Sequence, residues 1–250
     1  LTGTPILNKP DDLWSILHFL DPKYSGESYR RFLDHFCKFL FTPWGNKPVG
    51  LTEDEQRVEA LHRLLSIVSI RNSLMNTGKG RLVGTVKLSM TKEQKDLYKK
   101  TKDLVLEELP EDLTIANGAV HVLRLIQITS WPGLFEPGMA GAKFEWLKEL
   151  LEDNPEEKIV VFSRFSKTLE ALQRYLGSSV VLFHGGMSVA DKAMSVEQFK
   201  SSERVRIIAG TIGAMGQGVD GLQDCSRTIV FIDRDWSPEI MRQCEARLDR

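Results

Sequence analysis

The sequence predicts an α/β fold in which a parallel sheet carries helices on both faces, preceded by a mostly helical segment. Four short runs have the β-branched, apolar composition of strands that are buried on both sides: KIVVFS, SVVLF, VRIIAG and RTIVFID. Helical patterns separate or follow these runs at residues 165–176, 188–200 and 238–250. Strands that alternate with helices are typical of a doubly wound layer, in which ligands bind at the carboxyl ends of the strands.

The first part of the chain is predicted to be mostly helical. In DDLWSILHFLDP an aspartate can cap the first turn, and apolar residues recur at helical spacing before Pro22. Residues 29–41 and 53–72 carry further helical patterns, and the turn-rich FTPWGNKPVG separates them.

A strand and a long helix are predicted next. RLVGTVKLSM alternates well enough for a strand, and residues 91–109 follow it as a helix with a capping box from Thr91 to Gln94. The lysines of this helix are spread too far round it to form one stripe, which favours a solvated face over a track for phosphates.

Composition limits the kinds of partner. Apolar residues make up 42% of the 250 residues, and 33 basic residues face 34 acidic ones for a formal net charge of −1. Any binding to nucleic acid must therefore come from a local face of the protein. No apolar run approaches the roughly 18 residues that a membrane-spanning helix needs, so we expect no membrane partner.

The three cysteines indicate a redox compartment, and the first residues indicate that the chain is part of a longer protein. Cys37, Cys225 and Cys244 have no CxxC or His spacing, so buried free thiols in a reducing compartment are expected. The opening LTGTPILN does not begin with methionine, and we expect the chain to be a segment of a longer protein.

Residues 210–221, GTIGAMGQGVDG, are the candidate phosphate- or ligand-facing loop. They hold five glycines in twelve residues, and glycine lets backbone amides approach a phosphate closely. A plain tight connection would also be rich in glycine. No GxxxxGK[ST] occurs in the chain, and no Asp-Glu pair ends a strand, so a complete metal–nucleotide site cannot be assembled from it.

The last predicted helix, which Ser237 can cap, carries an arginine pair. At helical spacing Gln243, Arg247 and Arg250 fall within a stripe of about 60°, beside a separate apolar face. Guanidinium groups suit phosphate oxygens, but neighbouring acidic residues could equally make this stripe a salt-bridged surface. The geometry alone leaves both interpretations open.

Two further features have weaker patterns. His184 precedes two glycines at a strand end without a second His or Cys nearby, which argues against a metal role. Asp233 and Asp235 flank Arg234, where an ion-paired loop explains the carboxylates as well as acid–base catalysis does.

Segments in a fixed order resemble the Swi/Snf family of helicase-like, DNA-dependent ATPases. The segments similar to that family's motifs are LTGTPILN, SIRNSLMN, VKLSMTKEQKDLY, VLRLIQITSWPGLF, AKFEWLKELL, KIVVFSRF, FHGGMS, GTIGAMGQGVDGL, IDRDWSP and QCEARLDR. The resemblance covers nearly the whole chain. It implies that residues 1–118 are the C-terminal remainder of a first RecA-like lobe with a helical insertion, and that residues 119–250 are a second RecA-like lobe.

The resemblance also implies roles for individual residues. Arg247 and Arg250 would be arginine fingers that reach the γ-phosphate of ATP across a cleft. The positions expected at the nucleotide are Gln243, Gly216, Gly218, Asp220, Gly3 and Thr4, the last two beside Thr2. The positions expected along the DNA backbone are Ser163, Gly185, Thr211 and Trp236, with Trp236 placed to enter a groove.

This sequence departs from the family pattern at three places. Met215 stands where a glycine is usual, Asp220 stands where asparagine is usual, and one extra residue lies between Thr211 and Ala214. The P-loop and the acidic box that binds Mg²⁺ belong to the first half of the first lobe. We therefore expect ATP and Mg²⁺ to be held mainly by that missing part, and the chain alone to be inactive.

The resulting hypothesis is a monomeric, ATP-dependent motor that translocates along double-stranded DNA. Two alternatives stay open: a non-catalytic DNA-binding or docking module that keeps the fold, and a single-strand or RNA helicase of the same superfamily. Short connections in the second lobe favour a cytoplasmic bacterial or phage protein, and a eukaryotic one would be nuclear.

Overall fold

The chain forms two compact units that divide between Gly84 and Thr85. The structure is a computed structural model and describes residues 11–43, 45–68, 82–107, 115–139, 141–216 and 219–248. The boundary between residues 118 and 119 that the family resemblance implies stays a prediction, because the compactness of the backbone does not locate a functional boundary.

The first unit consists of short helices and one hairpin. Its elements are α1 (Asp12–Leu20), α2 (Pro22–Ser25), α3 (Tyr29–Phe36), β1 (Cys37–Thr42), β2 (Gly45–Leu51) and α4 (Glu55–Val68). Apolar residues at helical spacing on α1 and α3, among them Leu17 and Phe32, are buried together with Leu61 of α4. The predicted helices therefore form where their apolar faces can meet.

The hairpin corrects the prediction for residues 29–51. The helix predicted to run to Phe41 ends at Phe36, and the backbone from Cys37 pairs in antiparallel fashion with β2 up to Thr42 and Gly45. The segment predicted as an irregular turn supplies that second strand. Gly45 has a φ of 113°, a left-handed value that glycine adopts without strain, and it allows the chain to reverse there.

The strand predicted over RLVGTVKLSM is also wrong over its described part. Residues 82–90 have no strand pairing in the structure, and Leu82 and Val83 are exposed. Alternation alone does not make a strand, because a strand needs a hydrogen-bonded neighbour. Within the described part of the chain no neighbour pairs with these residues.

The second unit contains a parallel sheet, as predicted. Its strands are β3 (Ile159–Ser163), β4 (Val180–Phe183), β5 (Ile207–Thr211) and β6 (Thr228–Phe231), and the order in the sheet is β4-β5-β3-β6. All three pairings are parallel. Every residue of β3 is buried, which explains its continuous apolar sequence.

Helices cover both faces of this sheet and confirm the doubly wound α/β class. The unit contains α5 (Lys92–Glu107), α6 (Ile115–Ser130), α7 (Ala142–Asp153), α8 (Ser166–Leu176), α9 (Val189–Ser201), α10 (Ile212–Met215) and α11 (Pro238–Glu245). One apolar cluster joins Phe162 to Phe199 and Met241, and a second joins Val161 to Phe144 and Leu172. Alternate side chains of β3 thus point into different cores.

The amino end of α5 differs in detail from the predicted capping box. Thr91 Oγ1 accepts a hydrogen bond from the backbone N–H of Gln94 over 3.1 Å, as a cap should. The buried Gln94 side chain does not return to Thr91: its Oε1 has no hydrogen-bond partner among the described residues, and its Nε2 donates to the carbonyl oxygen of Ile128 over 2.9 Å. The amide therefore ties α5 to α6. Among the helices that the structure describes, none has the length and apolar character to cross a bilayer.

Candidate functional site

The polar segments that follow three neighbouring strands lie at one edge of the second unit's sheet. Ser163 ends β3, Thr211 ends β5, and residues 232–235 follow β6. Because β3 pairs in parallel with both β5 and β6, these carboxyl ends meet. The sequence prediction that polar chemistry collects at this edge is confirmed for these three segments.

Asp233 organises this edge. Its buried carboxylate accepts hydrogen bonds at Oδ2 from the hydroxyls of Ser163 over 2.7 Å and Ser130 over 3.2 Å, and at Oδ1 from the backbone N–H of Arg164 over 2.7 Å. Ser163 Oγ in turn accepts from the N–H of Phe165 over 3.1 Å. The carboxylate therefore joins the ends of α6, β3 and β6.

A half-buried lysine stands beside this network. Lys143 of α7 donates from Nζ to the carbonyl oxygen of Ile232 over 2.5 Å. Burial lowers the pKa of Lys143, and the nearby negative charge of Asp233 opposes that shift. No sequence pattern singles out Ser130 or Lys143, and by its pattern Asp233 is one of two loop carboxylates. These partners lie far apart in sequence, so no local spacing relates them.

The next carboxylate holds a cation beside an exposed indole. Arg164 Nε lies 3.5 Å from Asp235 Oδ2, and the Arg164 guanidinium lies 5.9 Å from the centre of the Trp236 ring. Asp235 Oδ1 also accepts a hydrogen bond from the N–H of Ser237 over 2.9 Å. Trp236 is 71% exposed, so a large aromatic surface faces outward at this loop.

The helix after this loop begins as the sequence predicts. Ser237 caps α11 by accepting at its hydroxyl a hydrogen bond from the N–H of Ile240 over 3.4 Å, and Pro238 occupies the first turn. Met241 and Cys244 are buried and anchor the helix to the sheet. A cavity of about 340 Å³ opens between Trp236, Arg242 and Glu245 on the outer side.

The end of α11 corrects the helix predicted over residues 238–250, on which the stripe of Gln243, Arg247 and Arg250 was based. The helix ends at Glu245, and the N–H of Arg247 bonds the carbonyl oxygen of Cys244 over 3.2 Å in a tighter turn. Arg247 thus leaves the helical spacing on which the stripe depended. Arg250 lies outside the described residues.

The Arg247 side chain binds the glycine-rich segment through two hydrogen bonds. Its Nε donates to the carbonyl oxygen of Gly216 over 3.1 Å, and its Nη1 donates to the carbonyl oxygen of Val219 over 3.1 Å. Glu245, the nearest described carboxylate in sequence, lies 3.4 Å from Arg234. The Arg247 bonds connect the residues after α11 directly to the glycine-rich segment. Neither a phosphate-binding stripe nor a salt-bridged surface, the two interpretations of the arginine pair, predicts this contact.

Close packing explains two residues of the glycine-rich segment. A β-carbon on Gly216 would stand 2.4 Å from the carbonyl oxygen of Ile212 and 2.7 Å from Cys244 Sγ, so a side chain has no room there. Met215, the first departure from the family pattern, is fully buried, and its Sδ would lie 2.5 Å from a β-carbon on Gly210. The methionine fills the space above that glycine.

The other two departures lie at the start and end of this segment. Ile212–Met215 form the single helical turn α10, which includes the region of the extra residue. The exposed Asp220 accepts at Oδ1 a hydrogen bond from Gln223 Nε2 over 3.1 Å. Gly221 follows with a left-handed φ of 83°. Asp220 therefore contributes to a local turn, and its expected role at the nucleotide stays a prediction.

The remaining candidates differ in exposure. Gly185 is exposed in the turn after β4, Thr211 is half-buried at the start of α10, and Gln243 is half-buried on α11. Ser163 is fully buried, so its hydroxyl would have to leave Asp233 to touch DNA. Gly3, Thr4 and Gly218 lie outside the described residues. The proposed contacts of all these positions stay predictions.

The described residues offer donors for a phosphate but no acidic cage for a metal. Gln243 and Arg247 carry amide and guanidinium groups that suit phosphate oxygens. Across the described ranges no three His, Cys, Asp or Glu residues come together in a way that could hold a metal ion.

The sequence matches two family models, one over its first half and one over its second half. Residues 1–128 match the SNF2-related domain, and residues 142–250 match the helicase conserved C-terminal domain. A probable ATP-dependent DNA helicase of Arabidopsis thaliana is 25% identical over 275 residues, an alignment that covers 100% of this chain and 24% of that protein. The chain thus spans about a quarter of the length of this curated relative.

Two solved structures share the fold. The SWI2/SNF2 ATPase core domain of Sulfolobus solfataricus is 25% identical with a TM-score of 0.56, and the match covers 100% of this chain and 53% of that one. The core of the same protein in complex with double-stranded DNA is 24% identical with a TM-score of 0.54, over 94% and 51% of the two chains. Because the SNF2-related domain alone matches more than half of the chain, the chain belongs to the SNF2-related, or Swi/Snf, family of helicase-like ATPases.

Proposed function

We propose that this chain is part of an ATP-dependent motor that moves along double-stranded DNA. The observation that carries the proposal is the pair of hydrogen bonds from Arg247 to the carbonyl oxygens of Gly216 and Val219. They join the end of α11, which we assign to the nucleotide, to the glycine-rich segment that we assign to the link with DNA. A structural change at the nucleotide can therefore alter the DNA-binding segment, and a change at the DNA can alter the nucleotide site.

On the nucleotide side, we assign Arg247 and Arg250 as arginine fingers. Arg247 would exchange the two loop carbonyls for oxygens of the γ-phosphate, since a guanidinium can hold two acceptors at once. Such an arginine stabilises charge that develops as the phosphoryl group is transferred, and fingers of this kind are worth roughly 10³–10⁵ in rate in GTPases. Gln243, Gly216, Gly218 and Asp220 would border the same nucleotide.

On the DNA side, the exposed ring of Trp236 and the backbone at Gly185 and Thr211 would contact the duplex. Contacts with the phosphate backbone position a protein on DNA without reading its sequence, as a motor requires. Ser163 supports this face from below through its bond to Asp233. The carboxylates near Trp236 and the overall charge of −1 favour weak binding that is sensitive to salt.

In this proposal the hydrolysis of ATP, in which the γ-phosphoryl group is transferred to water, drives the movement. No GxxxxGK[ST] occurs in these 250 residues, and among the described residues no three His, Cys, Asp or Glu side chains come together to hold a metal ion. We infer that the P-loop and the metal ligands belong to a part of the protein outside this sequence. The chain alone should not hydrolyse ATP.

The stimulation of ATPase activity by different nucleic acids tests this proposal. In the intact protein, double-stranded DNA should raise kcat well above the value with single-stranded DNA or RNA of the same length. Equal or greater stimulation by single strands would assign a single-strand or RNA helicase instead. No hydrolysis with any nucleic acid would favour a non-catalytic DNA-binding or docking module.

A further inference from the structure

The geometry around Trp236 points to Arg164 as a positioning residue: we propose that Arg164 fixes the exposed indole of Trp236 in the orientation in which it meets duplex DNA. This inference rests on the proposed contact between Trp236 and DNA. It adds a residue to which neither the sequence patterns nor the comparisons assigned a role.

The exposure of the Trp236 ring leaves its orientation to be fixed by a neighbouring side chain. Trp236 is 71% exposed on a loop between β6 and α11, so little of the indole is held by packing against a core. An exposed side chain normally exchanges between rotamers within nanoseconds. A ring that must enter a groove would bind more weakly if several orientations had to be given up at each step.

The guanidinium group of Arg164 lies beside the Trp236 ring. Arg164 lies 5.9 Å from the ring centre, within the range of cation–π attraction, and tryptophan is the strongest aromatic partner for such a cation. Arginine can also stack its planar group on an aromatic face, which lysine cannot do. This contact would favour one ring orientation by a factor of about two to five, the range for exposed cation–π pairs.

Arg164 is itself held by two carboxylates. Its Nε lies 3.5 Å from Asp235, and its backbone N–H donates to the buried Asp233 over 2.7 Å. Its side chain is only 20% exposed. Within the part of the chain that the structure describes, its Nη1 is buried and has no hydrogen-bond partner, so the contacts that hold Arg164 are those at Nε and at its backbone N–H.

These contacts hold the Arg164 guanidinium 5.9 Å from the centre of the indole ring. The alternative is that Arg164 binds a DNA phosphate directly and meets Trp236 only by proximity. The two roles predict different orientations of Trp236 in the free protein and a different salt dependence of DNA binding. They also differ in whether the effect of an Arg164 substitution on binding depends on Trp236.

The free protein provides the first test. In the whole chain labelled with 5-fluorotryptophan, the ¹⁹F resonance of Trp236 is identified by its loss in Trp236→Phe. Arg164→Met should move that resonance towards the position of the free amino acid and narrow it, and Arg164→Lys should give an intermediate shift. The control Arg174→Met removes the same charge from an exposed position on α8 and should leave the resonance unchanged. A resonance that does not move in Arg164→Met overturns the proposal.

Binding to a short duplex at low salt provides the second test. Arg164→Met should weaken binding by about two- to fivefold, the same factor as the loss of one ring orientation. The slope of log K against log salt should not change, whereas the loss of a direct phosphate contact would reduce it by about 0.9. In a Trp236→Ala background the same substitution should cost nothing more, since a positioning residue has nothing left to position.

The two tests separate the failure of this inference from that of the proposed function. Full additivity of Arg164→Met and Trp236→Ala, or a reduced salt slope, overturns the positioning role even if DNA binds well. If the chain binds no duplex, the proposed function fails, and the fluorine resonance still decides whether Arg164 fixes the ring. Thermal unfolding of each variant excludes a general loss of structure.

Discussion

The thiol sulphur of Cys244 lies 2.7 Å from the point at which a β-carbon on Gly216 would stand. The glycine-rich segment is therefore pressed against α11 and held there, since Arg247 also donates to the Gly216 carbonyl oxygen. A glycine-rich sequence usually suggests flexibility. Here the glycine at position 216 serves close packing between the glycine-rich segment and α11.

The tight contact at Gly216 makes a direct prediction. Gly216→Ala should lower the free energy of unfolding by about 1–3 kcal/mol, because the carbonyl oxygen of Ile212 on the other side, at 2.4 Å, belongs to the backbone and cannot turn away. The control is Gly213→Ala, since a β-carbon there meets nothing within 4 Å and lies in a helical turn. Urea denaturation should show an unchanged or slightly higher midpoint for Gly213→Ala. Equal midpoints for both variants would contradict the packing.

The hydrogen bonds at Asp233 predict a second loss of stability. Asp233→Asn keeps the shape but replaces one accepting oxygen by a donor, which leaves a buried hydroxyl or N–H without its partner and should cost about 1–3 kcal/mol. Asp224→Asn is the matched control, because its partner Lys200 lies at 3.6 Å in an exposed pair and such pairs are worth about 0–1 kcal/mol. Chemical denaturation checks both. If Asp233→Asn behaved like Asp224→Asn, the carboxylate would not organise the strand ends.

The buried thiol of Cys244 predicts a loss of stability in alkali. Burial raises the pKa of Cys244 from 9.0 to about 12, so above pH 9 the unfolded chain releases a proton that the folded chain keeps. The unfolded state then binds fewer protons, and this contribution to stability falls as the pH rises from 9 towards 12, by at most about 1.4 kcal/mol per pH unit. Urea midpoints between pH 8 and pH 10.5 should fall less steeply in Cys244→Ala than in the unaltered chain. Parallel slopes would show that this thiol is not protected.

Sequence patterns located the second unit well, for physical reasons. Strands such as β3 are buried on both faces and therefore consist of unbroken apolar residues, and helices with one buried face separate them. The fold class and the sheet edge that carries Ser163, Thr211 and Trp236 followed from that pattern alone.

The errors arose where distant partners decide the structure. The residues from Cys37 to Phe41 continue a helical pattern, yet they pair with β2 and become a strand. The alternating residues 82–90 have no pairing partner within the described structure and do not form a strand. In both cases the presence or absence of a pairing segment decides whether a strand forms, and local periodicity does not encode it.

The candidate site shows the same limit. The sequence identified Arg247 and the glycine-rich segment separately, but only the fold brings its guanidinium to the carbonyl oxygens of Gly216 and Val219. Asp233 looked like an ordinary loop carboxylate because Ser130 and Ser163, its partners, are 103 and 70 residues away. A spacing argument cannot detect contacts at that separation.

The central claim is that the end of α11 acts on ATP bound elsewhere in the same protein. The most direct measurement is the steady-state kcat for ATP of the intact protein with saturating double-stranded DNA, in Arg247→Ala and Arg250→Ala, with the exposed Arg242→Ala as the control. We predict that kcat falls by about 10³-fold or more in the first two variants and stays within about twofold in the control, since the loss of a finger removes charge stabilisation in the transition state. Unchanged kcat in both finger variants would contradict the claim.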